Sequence, residues 1–186
     1  MNTKSFKTQH ELELWLAKNH AKVDELWIRM FKKSTGIKSI DWDGALEVAL
    51  CYGWIDGIRK SFDEVSFIQR FTPRRTKSNW SKRNTEIVAR LIKEKRMKSG
   101  GITQVEAAKA DGRWERAYDS SKNMKLPEDF LSELDKNKKA KKFFDTLSKN
   151  NLFAIYSRLH SAKTEKIRTR KMNEILEMLS KKKVFF

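Results

Sequence analysis

The sequence predicts an α+β fold: a small sheet with a hairpin packed by helices, followed by an all-helical C-terminal module. Three observations carry that prediction. Between Asp24 and Lys33 large residues alternate at period two, Leu26, Ile28 and Met30 on one side and Trp27, Arg29 and Phe31 on the other, as a strand requires. Residues 54–71 form two runs of β-formers around the turn pair Asp63-Glu64, the pattern of a hairpin. From Pro127 onward apolar residues recur every three or four positions and nothing alternates, so this part reads as helices alone. The polar stretch Ser120-Ser121-Lys122-Asn123 is the linker candidate, giving a core domain over 1–121 and a helical module over 125–186.

The elements follow in order. Thr8 and Glu11 have the spacing of a capping box, and Leu12, Trp15 and Leu16 form the stripe of a short helix ending near Asn19. Gly36 breaks the strand that comes next. Asp41, or Ser39 before it, caps a helix through Ala45, Leu46, Val48, Ala49 and Leu50, with Gly53 as its stop. Pro73 cannot donate to a ladder and marks the exit from the hairpin. Ser78 or Ser81 starts a helix with the stripe Ile87, Val88, Leu91 and Ile92, ended by Gly100-Gly101, and Thr103–Ala110 is a further short helix. In the module, Pro127 opens a first helix, Phe143 and Phe144 mark a second, Leu152, Ile155 and Leu159 a third, and Thr164 caps a fourth.

Composition narrows the function. Hydrophobic content is low at 39%, but 11% aromatic residues supply enough buried area for a core, which excludes a disordered chain. The net charge of +17 is concentrated in two blocks: residues 70–98 hold 11 basic and 2 acidic residues, and residues 122–186 hold 17 and 8. Such blocks are expected of a surface facing a polyanion, and equally of lysines lining solvated helix faces. The one cysteine, Cys51, excludes an internal disulfide and fits a reducing compartment. The start Met1–Gln9 is polar, and no apolar run approaches the roughly 18–20 residues of a membrane span, so a soluble cytoplasmic protein without a transmembrane segment is expected.

The strongest chemical signal is the run from Arg70 to Asn84. Arginine offers a planar fork of donors matched to phosphate or carboxylate oxygens, and a helix start near Ser78–Ser81 aims backbone N–H groups the same way. Arg70, Arg74 and Arg75 with Ser78, Ser81 and Asn84 can therefore make an anion pocket, with Trp80 or Trp54 stacking a base. The alternative is structural: Ser81 a plain cap, Trp80 core, and the arginines paired with Glu47, Asp56 and Asp63. Asp56, beside Trp54 and between Gly53 and Gly57, is either an acid or base with a raised pKa or a carboxylate that satisfies a turn. Cys51 reads as a buried inert thiol. His10, His20 and His160 lack neighbours at ligand spacing, so no metal site is expected, and no cofactor motif is present.

The stretch Ala45-Leu46 with Ala49-Leu50-Cys51-Tyr52-Gly53-Trp54-Ile55-Asp56-Gly57 resembles the YdeI/OmpD-associated family of bacterial proteins. So do Arg70-Phe71-Thr72-Pro73-Arg74-Arg75 through Trp80-Ser81-Lys82 and Gly112-Arg113-Trp114 with Ala117-Tyr118, over nearly the whole chain. Ala162-Lys163-Thr164-Glu165 and Arg168 are similar to the small helical domain that gives the family its bacteriocin-protection label. The resemblance implies an α+β core with a helical tail and supplies no catalytic residues.

The expected function is binding of an anionic ligand, a nucleotide, phosphate or nucleic-acid backbone, in the setting of stress or antimicrobial-peptide protection. The first alternative is an enzyme using Asp56 on a phosphorylated or carboxylated substrate. The second is an adaptor meeting a protein partner through its C-terminal helices. A pocket enclosed by Trp54, Trp80 and the arginines favours the enzyme, and an open basic face favours nucleic acid.

Overall fold

A computed structural model describes residues 3–186, and over them the chain is α+β as expected, with four strands and eight α-helices among the described residues. Met1 and Asn2, part of the polar start, lie outside the described residues. The chain divides into two compact units, Met1–Trp80 with Asn84–Arg116, and Ser81–Arg83 with Ala117–Phe186.

The first unit is built on a four-stranded sheet. Strands β1 (Thr3–Lys4), β2 (Leu26–Phe31), β3 (Trp54–Ser61) and β4 (Ser66–Pro73) lie in the order β1-β2-β4-β3. β1 runs parallel to β2, and β4 pairs antiparallel with both β2 and β3. The period-two pattern thus sets the register, with Leu26 opposite Phe71 and Trp27 opposite Arg70. At the hairpin turn Asp63 accepts from the Val65 N–H at 3.1 Å and the Ser66 hydroxyl at 2.6 Å, which explains the choice of Asp there. The register of β3 shifts between Asp56 and Arg59, a bulge in this edge strand.

Local signals place the first two helices. Thr8 Oγ1 accepts from the Glu11 N–H at 3.2 Å, and Glu11 Oε2 accepts in return from the Lys7 N–H at 2.7 Å, starting α1 (Gln9–Asn19). Asp41 Oδ1 accepts from the Gly44 N–H at 2.9 Å and starts α2 (Trp42–Cys51). Each such cap is worth about 1 kcal/mol. α2 is buried along most of its length, so it forms the centre of the core with Leu12 and Leu16 of α1 and Ile28, Trp54 and Phe71 of the sheet.

The Gly100-Gly101 pair corrects the sequence reading. It opens α4 (Ser99–Ala110) and does not end α3 (Lys82–Lys93). Its purpose is close backbone approach: the Lys98 N–H donates to Cys51 O at 3.0 Å, and a Cβ on Gly101 would stand 2.3 Å from that same oxygen. Gly53, at φ +77°, faces Gly100 O, which a Cβ would meet at 2.6 Å. The positive N-terminal end of α4 therefore sits on the negative C-terminal end of α2. α3 is closed instead by Lys95 at φ +57°, with the Lys95 N–H donating to Ile92 O and the Arg96 N–H to Leu91 O, both at 3.0 Å. This is the double cap in which glycine usually holds the left-handed position. It aims Arg96 at Glu47 of α2 (3.1 Å) and Gln9 of α1 (3.0 Å), and Arg90 reaches Glu47 as well.

The second unit carries α5 (Glu128–Lys136), α6 (Lys138–Phe144), α7 (Lys149–His160) and α8 (Glu165–Ser180). Phe130, Leu134, Ala140, Ile155, Leu159, Ile175 and Leu179 form its core. Thr164 caps α8 as expected, accepting from the Ile167 N–H at 3.3 Å. Of the cations Lys163, Lys166, Arg168, Arg170 and Lys171 near the start of α8, Arg168 and Lys171 tie α8 to other helices of the fold. Arg168 grips Asp129 of α5 with Nε and Nη2 at 2.8 and 2.7 Å, and Lys171 donates to Arg158 O and Ser161 Oγ at the end of α7. Among the described residues no helix is long and apolar enough to cross a membrane.

Candidate functional site

The end of β4 gathers the arginines. Alternation sends Arg70, Thr72 and Arg74 to one side of the chain as it leaves the sheet, and Arg75 follows. Together with Asp24 and Pro73 they line an open cleft of about 320 Å³. β2 supplies the neighbour that orients Arg70: Glu25, just before that strand, accepts from Arg70 Nε at 2.7 Å and from Trp27 Nε1 at 3.3 Å. That contact uses one edge of the guanidinium. Among the described residues the two Nη groups of Arg70 have no protein partner within hydrogen-bond reach, and the exposed Arg75 side chain forms no ion pair.

Arg74 is held differently. It is 5% exposed, its Cζ lies 3.7 Å from the centroid of the Trp80 ring, and Nη2 donates to Asn79 O at 2.8 Å. Trp80 in turn packs against Trp114 at 5.0 Å between ring centroids. A guanidinium over an indole gains about 1–2 kcal/mol when desolvated, so the loop from Arg74 to Trp80 is closed by a stacked pair. Ser78 tightens the same loop: its hydroxyl donates to Arg75 O at 2.9 Å, and its own carbonyl accepts from Arg113 Nη1 at 2.9 Å. Arg113, 5% exposed and paired to Asp111 at 2.7 Å, belongs to the Gly112-Arg113-Trp114 motif but was not among the candidate binding residues; the turn glycine Gly112 beside it, at φ +71°, was the available signal.

The remaining sequence candidates are not among the residues that line the cleft. Trp54 is buried at the start of β3 and donates to His20 O at 3.3 Å. Asp56 Oδ2 accepts from Trp42 Nε1 at 3.3 Å. Ser81 pairs with Tyr118 in a single parallel bridge, and Asn84 is half-buried in the first turn of α3. The structure thus brings Arg70, Arg74 and Arg75 together and leaves Trp54, Asp56, Ser78, Trp80, Ser81 and Asn84 outside the lining. Asp24, Glu25 and Thr72 join the arginines without having been singled out in the sequence.

Elsewhere in this unit, burial pushes the Cys51 thiol up to about 11, so at neutral pH it is protonated and a poor nucleophile. Among the described residues no group of three or more His, Cys, Asp or Glu side chains is arranged to hold a metal ion.

Residues 4–104, which contain strands β2, β3 and β4 and the cleft, match a family model described as a domain of unknown function, DUF8412. The chain belongs to that family. Residues 123–182 match a second model, described as bacteriocin-protection, YdeI or OmpD-associated. The resemblance to the YdeI/OmpD-associated family therefore holds for the helical module, and the motifs around Trp54 and Arg70 lie within the DUF8412 match instead. No curated protein and no solved structure matches the chain.

Proposed function

We propose that the DUF8412 domain binds the phosphate backbone of a nucleic acid in the cleft formed by Arg70, Thr72, Arg74 and Arg75. One observation carries this reading: the cleft is open, and none of the residues that line it is aromatic. Trp54 and Trp80 are core residues, so nothing in the lining would enclose a base or a small substrate. The exposed guanidinium of Arg75 and the Nη groups of Arg70 along an open concavity suit neighbouring phosphates, where affinity comes from charge and not from base stacking, while Arg74, buried on Trp80, shapes the wall. Asp24 and Glu25 temper the charge, and Glu25 sets the orientation of Arg70. Asp56, outside the lining and bonded to Trp42, has no part in this reading. The bacteriocin-protection description of the C-terminal match supports a protective setting for such binding.

The test is fluorescence anisotropy with a labelled single strand of about twelve nucleotides. Two phosphate contacts, one each from Arg70 and Arg75, imply a slope of log K against log salt of about −1.4, or a loss of about sevenfold between about 50 and about 200 mM salt. Arg75→Ala should lower the magnitude of that slope by about 0.7 and leave the fold intact. An affinity unmoved by salt, or unmoved by removing both Arg70 and Arg75, would sink the proposal.

A further inference from the structure

The second unit contains a cavity of about 540 Å³ lined by Lys139, Lys142, Phe143, Thr146, Ser180 and Lys182. Its volume lies within the roughly 300–1,000 Å³ of small-molecule sites. Lys139, Lys142, Phe143 and Thr146 fall at i, i+3, i+4 and i+7 along α6 and the turn that follows it, so one face of that segment supplies most of the wall. Ser180 and Lys182 come from the end of α8.

The charge pattern around this cavity is selective. Lys136, Lys141 and Lys181, close by in sequence, each have a carboxylate partner: Glu133, Asp135 and Glu177 respectively. Among the described residues Lys139, Lys142 and Lys182 have none within ion-pair distance. The two hydroxyls have already used their protons, Thr146 Oγ1 donating to Phe143 O at 2.6 Å and Ser180 Oγ to Leu176 O at 2.9 Å. Uncommitted donors in the lining are therefore the three ammonium groups, beside an apolar Phe143 wall. Lys182 also holds φ +53°, with its N–H on Leu179 O and the Lys183 N–H on Met178 O, a left-handed cap that glycine would occupy without steric cost.

We propose that this cavity is a binding site for a small amphiphilic anion, a phosphate monoester carrying an aromatic or short alkyl body. The lysines would neutralise the dianionic head, and Phe143 would cover the body. The site is independent of the arginine cleft, and the two readings stand or fall separately.

Isothermal titration of the full chain with hexyl phosphate, inorganic phosphate and hexanol tests the proposal. Hexyl phosphate should bind at least about tenfold more tightly than inorganic phosphate, the gain from burying about two methylenes, and hexanol should not bind measurably. Lys139→Glu with Lys142→Glu, both exposed, should abolish the binding without altering the melting temperature greatly. Lys182→Gly should raise the melting temperature while weakening hexyl phosphate several-fold, a pair of opposite changes that a purely structural lysine would not produce. Arg75→Ala should leave the titration unchanged. Sedimentation with phosphatidic acid vesicles against phosphatidylcholine vesicles separates a lipid head from a soluble ester as the natural source. Equal binding of hexyl phosphate and inorganic phosphate, or full binding by the double-glutamate variant, would overturn the assignment.

Discussion

Arg74 and Trp80 hold each other: the guanidinium carbon stands 3.7 Å from the centre of the indole, and each residue is almost fully buried because the other covers it. The pair closes the loop that follows β4. It also separates two arginines that stand side by side in sequence, one fixed inside the domain and one free to meet a ligand.

Arg74→Lys should therefore not behave as a conservative change. Lysine cannot lie flat on the indole while donating to Asn79 O, so a loss of about 1–2 kcal/mol is expected in urea unfolding. The neighbouring Arg75→Lys, at an exposed position, should stay within about 0.5 kcal/mol of the parent chain.

Gly101→Ala tests the contact between the ends of α2 and α4. The added carbon would lie 2.3 Å from Cys51 O and 2.7 Å from Leu50 O, both backbone atoms that cannot swing aside. Overpacking of this kind costs about 1–3 kcal/mol, and the shift in the urea midpoint should reach at least the middle of that range. Gly44→Ala is the control for a softer clash, since its nearest neighbour is the flexible Gln9 side chain at 2.8 Å.

Lys95→Gly should stabilise the first unit. The left-handed backbone costs a side-chain-bearing residue about 1 kcal/mol, and glycine at the helix end removes that cost while keeping both cap hydrogen bonds. A higher melting temperature is the expected result. A lower one would mean that the lysine side chain contributes more than its backbone loses.

The ion pair joining α5 and α8 gives a pH dependence of defined sign. Hydrogen bonds from Arg168, helped by the Phe130 N–H, hold the Asp129 carboxyl below the usual carboxylate range. A depressed folded value means that the contribution is present above the unfolded pKa of about 3.9 and fades as pH falls through the folded one. The parent chain should thus be more stable than Asp129→Asn at about pH 6, by no more than about 1 kcal/mol because solvent screens the pair. The gap should close below about pH 4. Urea midpoints at the two pH values measure it.

These residues also show what could be read in advance and what could not. Thr8, Asp41 and Thr164 cap helices through partners three residues away, so their signal is local and complete in the sequence. The alternation in β2 and the Asp63 turn are legible for the same reason. Glycine is ambiguous because it serves both to end a helix and to let two backbones touch, and Gly100-Gly101 does the second. Arg74 and Arg75 have the same side chain and differ only in what folds over them. Glu25, which orients Arg70, is 45 residues away along the chain, beyond any motif. Likewise the lysines of α6 look like one solvated run until Asp135 is seen to take Lys141 and leave Lys139 and Lys142 without a carboxylate.

The bulge in β3 has a consequence for the company this protein keeps with its own copies. An edge strand with regular spacing offers a ladder of unmet N–H and C=O groups on which a second chain can grow. Here the register slips between Asp56 and Arg59, and exposed Arg59 and Lys60 follow the slip at once. An incoming strand would find its hydrogen bonds out of step and two like charges facing their own duplicates. The sheet is thereby protected on that edge against the endless strand-by-strand addition that leads to fibres.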